Sequence, residues 1–498
     1  MSRSGSSGTG GIRLRYSGIF IFAAKLSTTI TGLIFMWILA RFLPQSGFGG
    51  VYFISGILLY FTFPASVVPY WAAREIAVGK GGAKTSLAFN LLLSIPFFLG
   101  FLLLSPLLAA KGDVPTVALL AASPMVPLTF AISSFNNTVG VVRPAQLAGR
   151  DLAGDLVKIG FAVALVVVMK FGLPGAELSL SSAYVASAAY LYRRYREIEG
   201  QESRAEWRRA LKWVALSWVT LLTGALSSFY AGADKLLLGL ISEQQLGAYG
   251  AALLLSSQLS AVSGLSSALY PYVLRSGELE KGTRQVGDLT LMFSIPMLFG
   301  LLTFGRQLLS VLSRHYGVAS LSLLPMLAAA YFITSSFYPL MDSVVLGSEK
   351  VDIAPRELRS SKFFGYLLLQ ALSLLVMLPI MWILALFYGA LGMSVAVLAG
   401  AVLKLTGRFI IGKGKLKALF SPALAAKFIT SSLLMSALLL ILPSRGTMQV
   451  LLDVLMGAAV YFTVLIALDS GLRHTFVSGF RAFLRDEIAS RHPIQSDL

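Results

Sequence analysis

The chain has no cysteine, three histidines and three asparagines in 498 residues, and only 13% of its residues are charged. Without cysteine there is no disulfide, no thiolate metal site and no cysteine nucleophile. His315, His474 and His492 stand too far apart in sequence to suggest a metal centre. An average soluble domain carries roughly 25% charged residues, so this composition excludes a soluble enzyme, a nucleic-acid-binding domain and a disordered chain. Phosphate-cradling G-x-x-x-x-G-K-[ST] loops and metalloprotease H-E-x-x-H helices are both missing. Apolar runs are long and unbroken, which argues against a membrane barrel of alternating segments about ten residues long.

What is present is hydrocarbon. Apolar residues make up 56% of the chain, enough for fourteen helices of about twenty residues each. The long apolar runs between charge clusters predict fourteen spans, near 17–40, 48–71, 86–110, 115–137, 152–170, 174–192, 213–239, 245–272, 288–304, 318–345, 362–387, 389–410, 422–442 and 447–469. The expected fold is therefore all-α and polytopic. The first span runs into Arg41 rather than a small-residue cleavage site, so it reads as a membrane helix and not a signal peptide.

Basic residues decide the orientation. If the N-terminus is cytoplasmic, 31 of the 41 lysines and arginines fall in cytoplasmic segments and 6 in outer ones. Cytoplasmic loops carry such an excess, so both termini are expected in the cytoplasm. The net charge of +18 then reflects topology, and no nucleic-acid partner is needed.

The chain also repeats. Gln45-Ser46-Gly47-Phe48-Gly49-Gly50-Val51-Tyr52 links the first two spans, and Glu243-Gln244-Gln245-Leu246-Gly247-Ala248-Tyr249-Gly250 links the seventh and eighth, about 198 residues on. Two parallel six-helix repeats are a transporter plan in which the lobes surround an axis along the membrane normal. The expected organisation is a tail over 1–16, a first lobe over 17–192, a basic linker over 193–212, a second lobe over 213–411, two added helices over 412–470 and a cytoplasmic tail over 471–498. In that tail Phe476, Phe480, Phe483, Leu484 and Ile488 share a helical face, which predicts an interfacial amphipathic helix.

Ile38-Leu39-Ala40-Arg41-Phe42-Leu43-Pro44-Gln45-Ser46-Gly47-Phe48-Gly49 resembles the opening signature of polysaccharide-type flippases of the multidrug/oligosaccharidyl-lipid/polysaccharide superfamily. Ala233-Asp234-Lys235-Leu236-Leu237-Leu238-Gly239-Leu240-Ile241-Ser242, running into Leu246-Gly247-Ala248-Tyr249, resembles that group's seventh-helix signature, and Leu269-Tyr270-Pro271 also fits. Fourteen spans suit the Wzx-like oligosaccharide-lipid and lipid II branches better than the twelve-helix multidrug branch. The resemblance implies a monomer in the cell membrane that moves a lipid-linked oligosaccharide by alternating access, with membrane lipids around it and glycan-assembly enzymes nearby. No cofactor or metal is expected. A cation-coupled drug or solute exporter is the alternative, and a membrane glycosyltransferase a remote one. Lipid II flippases carry several cavity arginines, whereas the inner half of this first helix has a single lysine, Lys25.

Charged groups inside spans are costly and usually face a cavity or a partner. Lys25 lies about 12 Å into span one at 1.5 Å per residue and shares a helical face with Thr28, Thr29 and Gly32. These residues are expected to meet a substrate phosphate. Asp234 and Lys235 are adjacent, point in different directions and are not expected to pair simply with each other. They are assigned to substrate together with Gln258, from the hydroxyl-rich span eight. Asp342, a turn beyond Pro339, is either an ion-coupling carboxylate or a structural hydrogen-bonding group. Asp453 and Lys158, nearer helix ends, are expected to be solvated.

Overall fold

The computed structural model describes residues 28, 30–77, 79–143, 146–199, 205–263, 279–312, 317–347, 362–412, 419–442 and 446–469. All regular structure among them is helical. The first lobe holds α1 (Ile30–Phe42), α2 (Gln45–Ala77), α3 (Ala83–Gly112), α4 (Thr116–Val142), α5 (Gln146–Ala162) and α6 (Gly172–Glu199). A short helix α7 (Trp207–Leu216) leads to α8 (Trp218–Ile241), α9 (Glu243–Ser257), α10 (Leu279–Leu312), α11 (Gly317–Ser336), α12 (Tyr338–Gly347) and α13 (Lys362–Gly412). Two further helices, α14 (Pro422–Ile441) and α15 (Thr447–Leu468), close the described chain. Each of the fourteen expected spans is mostly helix where it is described, with breaks such as Ser123–Pro124, Ser217 and Phe337, and among the described residues eight helices are long and apolar enough to cross a bilayer by that measure alone.

Local chemistry sets the breaks. α2 tightens into a 3₁₀ turn at Phe63–Ser66, with Pro64 at its start. Pro69, four residues after Ala65, has no amide to donate to the Ala65 carbonyl, so that carbonyl needs another partner. One is supplied by Asn90, fully buried on α3, whose amide donates to the carbonyls of Ala65 at 2.9 Å and Phe130 at 2.7 Å. One of the chain's three asparagines thus ties α2, α3 and α4 together. The Asn136-Asn137-Thr138 triplet lies inside α4, where Asn137 donates to the Ser133 carbonyl and Thr138 is buried. Within α13, Gly389 adopts φ 57°, a left-handed geometry that glycine reaches without steric cost. That residue divides α13 into the two spans expected at 362–387 and 389–410.

The linker is more ordered than its charge run suggests. α7 lies against α2 and α3: Arg209 pairs with Glu75, and the Trp213 indole donates to the other Glu75 oxygen at 2.9 Å. Trp213 is buried, while Trp207, Leu211 and Val214 remain exposed as an apolar edge. Such a helix suits the bilayer interface. The added pair α14 and α15 packs on α10 through Phe428, Met435, Leu439 and Tyr461, whose hydroxyl donates to the Met292 carbonyl at 2.6 Å.

Candidate functional site

The repeated turns meet each other. A Cβ on Gly49 would overlap the Glu243 carbonyl, and a Cβ on Gly247 would overlap the Gln45 carbonyl. Gly49 stands to Gln45 as Gly247 stands to Glu243, so the contact is reciprocal, as a twofold relation requires. Small residues let helix backbones approach closely in a membrane protein, where packing rather than water exclusion drives association. Two bonds seal the same end of the bundle. The Gln45 amide donates to the Gln244 carbonyl at 2.8 Å, and the Trp37 indole to the Val311 carbonyl at 2.8 Å. By the basic-residue bias this end is expected to face outward.

Glu243, in the turn ahead of the span expected at 245–272, sits at this seal with a buried Oε1 that has no hydrogen-bond partner. Burial pushes its carboxyl up to about 7, and the nearby Asp113 carboxylate adds to the shift. A closed end that binds this proton more tightly than an opened, solvated one is favoured as pH falls from about 7 towards the ordinary 4.5 and penalised above about 7. Labelling of a cysteine placed at Ala248, 3% exposed in this closed arrangement, by an impermeant thiol reagent is expected to rise between pH 5 and pH 8. Glu243→Gln should flatten that profile; an unchanged profile would exclude Glu243 as the titrating group.

Beneath the seal, α8, α9, α11, α12 and both halves of α13, with Leu59 of α2, line a cavity of about 400 Å³, its walls including Tyr230, Asp234, Lys235, Gln370, Lys404 and Arg408. Asp234, largely buried, accepts from the Tyr249 hydroxyl at 2.7 Å and from the Lys235 backbone amide at 2.8 Å. Contrary to expectation, Lys235 also pairs with Asp234, Nζ to Oδ1 at 3.5 Å, while donating to the Ala231 carbonyl at 2.9 Å. The long lysine stem curls back over its own helix, an option that face geometry leaves out. Arg408 forks onto Asp342, Nε to Oδ1 at 2.9 Å and Nη2 to Oδ2 at 3.3 Å, and stacks 3.8 Å over the Tyr338 ring. Both Asp342 oxygens are thereby engaged by Arg408 in this arrangement.

The remaining expected residues scatter. Gln258 donates to the Leu254 carbonyl of its own helix at 2.9 Å and is not a cavity wall. Thr28 is half-buried, and its carbonyl accepts from the Thr31 hydroxyl at 3.1 Å. Lys25, Thr29, both tails and the end of span eight beyond residue 263 lie outside the described residues. Lys158, its side chain 14% exposed, is less solvated than expected: it pairs with Asp155 at 2.6 Å, and Asp155 accepts from Thr31 at 2.5 Å. Asp453 is 4% exposed, against the same expectation. Neighbouring helices cover both positions, which closeness to a helix end does not reveal.

Lys404 and Arg408 were missed as site residues because their basic charge reads as cytoplasmic loop. Both lie inside α13, at 6% and 5% exposure. A signal existed: Val397, Ala401, Lys404 and Arg408 fall at i, i+4, i+7 and i+11, one helical face inside the span expected at 389–410. Removing the two from the cytoplasmic tally leaves the charge bias intact. Glu177 on α6, 1% exposed with an unpartnered Oε1, is a further buried carboxyl that the sequence reading passed over.

Two helical lobes crossing at paired glycines, with a charged cavity in the second lobe and two helices on one flank, define a multi-pass α-helical membrane protein. Its fold is that of the MurJ and MATE transporters. The lipid II flippase MurJ, in an inward closed conformation, superposes with a TM-score of 0.71 at 13% identity, covering 91% of this chain and 99% of that one. The MATE multidrug transporter DinF-BH gives 0.56 at 17% identity over 82% and 96% of the two chains. The Vibrio cholerae MATE transporter VcmN in its bent form gives 0.50 at 16% identity over 81% and 98%. No protein-family model and no curated protein matches the sequence. The superfamily resemblance read from the short motifs is thus met at the level of fold.

Proposed function

We propose that this protein is a flippase that carries a lipid-linked oligosaccharide, on an isoprenoid phosphate or diphosphate, from the inner to the outer leaflet by alternating access. The reciprocal glycine crossing carries the reading. It closes one end of the bundle at a small, twofold-related contact, the kind of joint that two lobes can break and remake as they rock. MurJ, a lipid II flippase, matches over 91% of this chain, against 82% for DinF-BH. Charge points the same way. Asp234 and Asp342 are both paired, whereas Lys404 has no carboxylate partner among the described residues, so the cavity suits an anionic headgroup better than a cationic drug. Both termini lie in the cytoplasm on this reading, which the basic bias favours at 29 to 6 once Lys404 and Arg408 are taken from the 31.

Lys25, with Thr28 and Thr29 on the same face, is the first-lobe contact for the headgroup phosphate. A phosphate leaving water needs fixed positive charge and donors. In proteoliposomes containing fluorescent lipid-linked oligosaccharide, Lys25→Ala is expected to abolish most flipping, with Lys25→Arg retaining part of it. Unchanged flipping by Lys25→Ala would move the phosphate contact elsewhere. Transport of a cationic dye without lipid flipping by the unaltered protein would replace the flippase reading with that of an exporter.

A further inference from the structure

We infer that the second-lobe cavity contains a phosphoryl-anion site built from Lys404, Arg408 and Tyr230. This rests on the flippase reading and deepens it by placing a headgroup contact on α13, a lobe away from Lys25. The argument begins with charge balance. Three cations (Lys235, Lys404, Arg408) and two carboxylates (Asp234, Asp342) stand at or beside the cavity, and the two ion pairs use Lys235 and Arg408. Lys404 is left over. Its ammonium lies 3.0 Å from the centre of the Tyr230 ring and has no hydrogen-bond acceptor or ion-pair partner among the described residues.

Hydrogen bonding leads to the same place. Arg408 Nη1 and the Tyr230 hydroxyl are buried without partners. Lys404 offers three N–H donors, the free arginine nitrogen two and the tyrosine one, so donors outnumber acceptors at this wall. Buried charge without a counter-ion is costly, and a surplus of donors fits a ligand rich in negative oxygens. Phosphate and diphosphate have that chemistry; a neutral sugar or a metal cation does not. At about 400 Å³ the cavity accepts a headgroup fragment but not a whole lipid-linked glycan. Such a fragment could come from the lipid carrier or from free phosphate in solution.

The test uses purified protein in nanodiscs titrated with inorganic pyrophosphate by calorimetry. Saturable, salt-sensitive binding is expected. Lys404→Gln should weaken it at least about tenfold, the loss of one charge-assisted contact, and Lys404→Arg should preserve most of it. Lys404→Met is expected to bind no pyrophosphate yet melt at a higher temperature than the unaltered protein, because it removes an unpaired buried charge. A merely structural lysine would instead lower the melting temperature. Lipid-linked diphosphate that competes with pyrophosphate would identify the headgroup as the occupant; without competition the occupant is a free anion, and the site stands in either case. No saturable pyrophosphate binding, or equal binding by Lys404→Gln, would overturn it. Neither result would touch the flippase reading, which the separate flipping measurement decides.

Discussion

Gly247→Leu is expected to cripple transport, with flipping falling about ten- to a hundredfold while the protein still inserts and folds. The Cβ alone would overlap the Gln45 carbonyl, and that atom belongs to a backbone that no side-chain rotation can move aside. Overpacking a tight contact costs typically about 1–3 kcal/mol, and more where the neighbour cannot relax. At 1.4 kcal/mol per tenfold change, this depopulates the sealed arrangement by one to two orders of magnitude. Gly49→Leu should act alike, because the relation is reciprocal. Gly224→Ala serves as the control: nothing lies within 4 Å of a Cβ there, so helix propensity alone predicts neutral or slightly improved stability. The chain's lack of cysteine makes the companion measurement direct. Cysteines placed at Gln45 and Gln244 and joined by an oxidant should arrest flipping until a reductant is added. Undiminished flipping by Gly247→Leu would mean that this contact does not open during transport.

The second large effect concerns Arg408 and Asp342. Asp342→Ala leaves a guanidinium at 5% exposure without its carboxylate. Removing one partner of a buried pair costs about 3–5 kcal/mol, and the 35% exposure of the Asp342 side chain places the expected loss near the low end. Chemical unfolding in micelles should show it. The double variant Asp342→Leu with Arg408→Leu should recover most of the loss, since apolar residues can replace a buried pair at little cost. If the double variant is as unstable as the single one, Arg408 contributes chiefly through its stacking on Tyr338. The pair leaves one Arg408 nitrogen, the buried Nη1, without a partner in the protein.

The sequence by itself determined the membrane class, the positions of the spans and the twofold relation of the repeated turns. These follow from quantities that add along the chain: hydropathy over twenty residues, counted basic charges, and a motif recurring about 198 residues later. Asp234 and Lys235, which line the cavity, stood out in the sequence because charges inside apolar runs need a reason. Partnership was not legible. Arg408 meets Asp342 across 66 residues, Gln45 meets Gln244 across 199, and Lys158 owes its burial to helices folded over it. Lys404 and Arg408 were hidden by the same counting of basic charge that sets the expected topology, because a lysine near a span's end counts as loop charge whichever way it points. Only the tertiary structure decides that direction, since burial and pairing depend on the rotation of each helix against neighbours from distant parts of the chain.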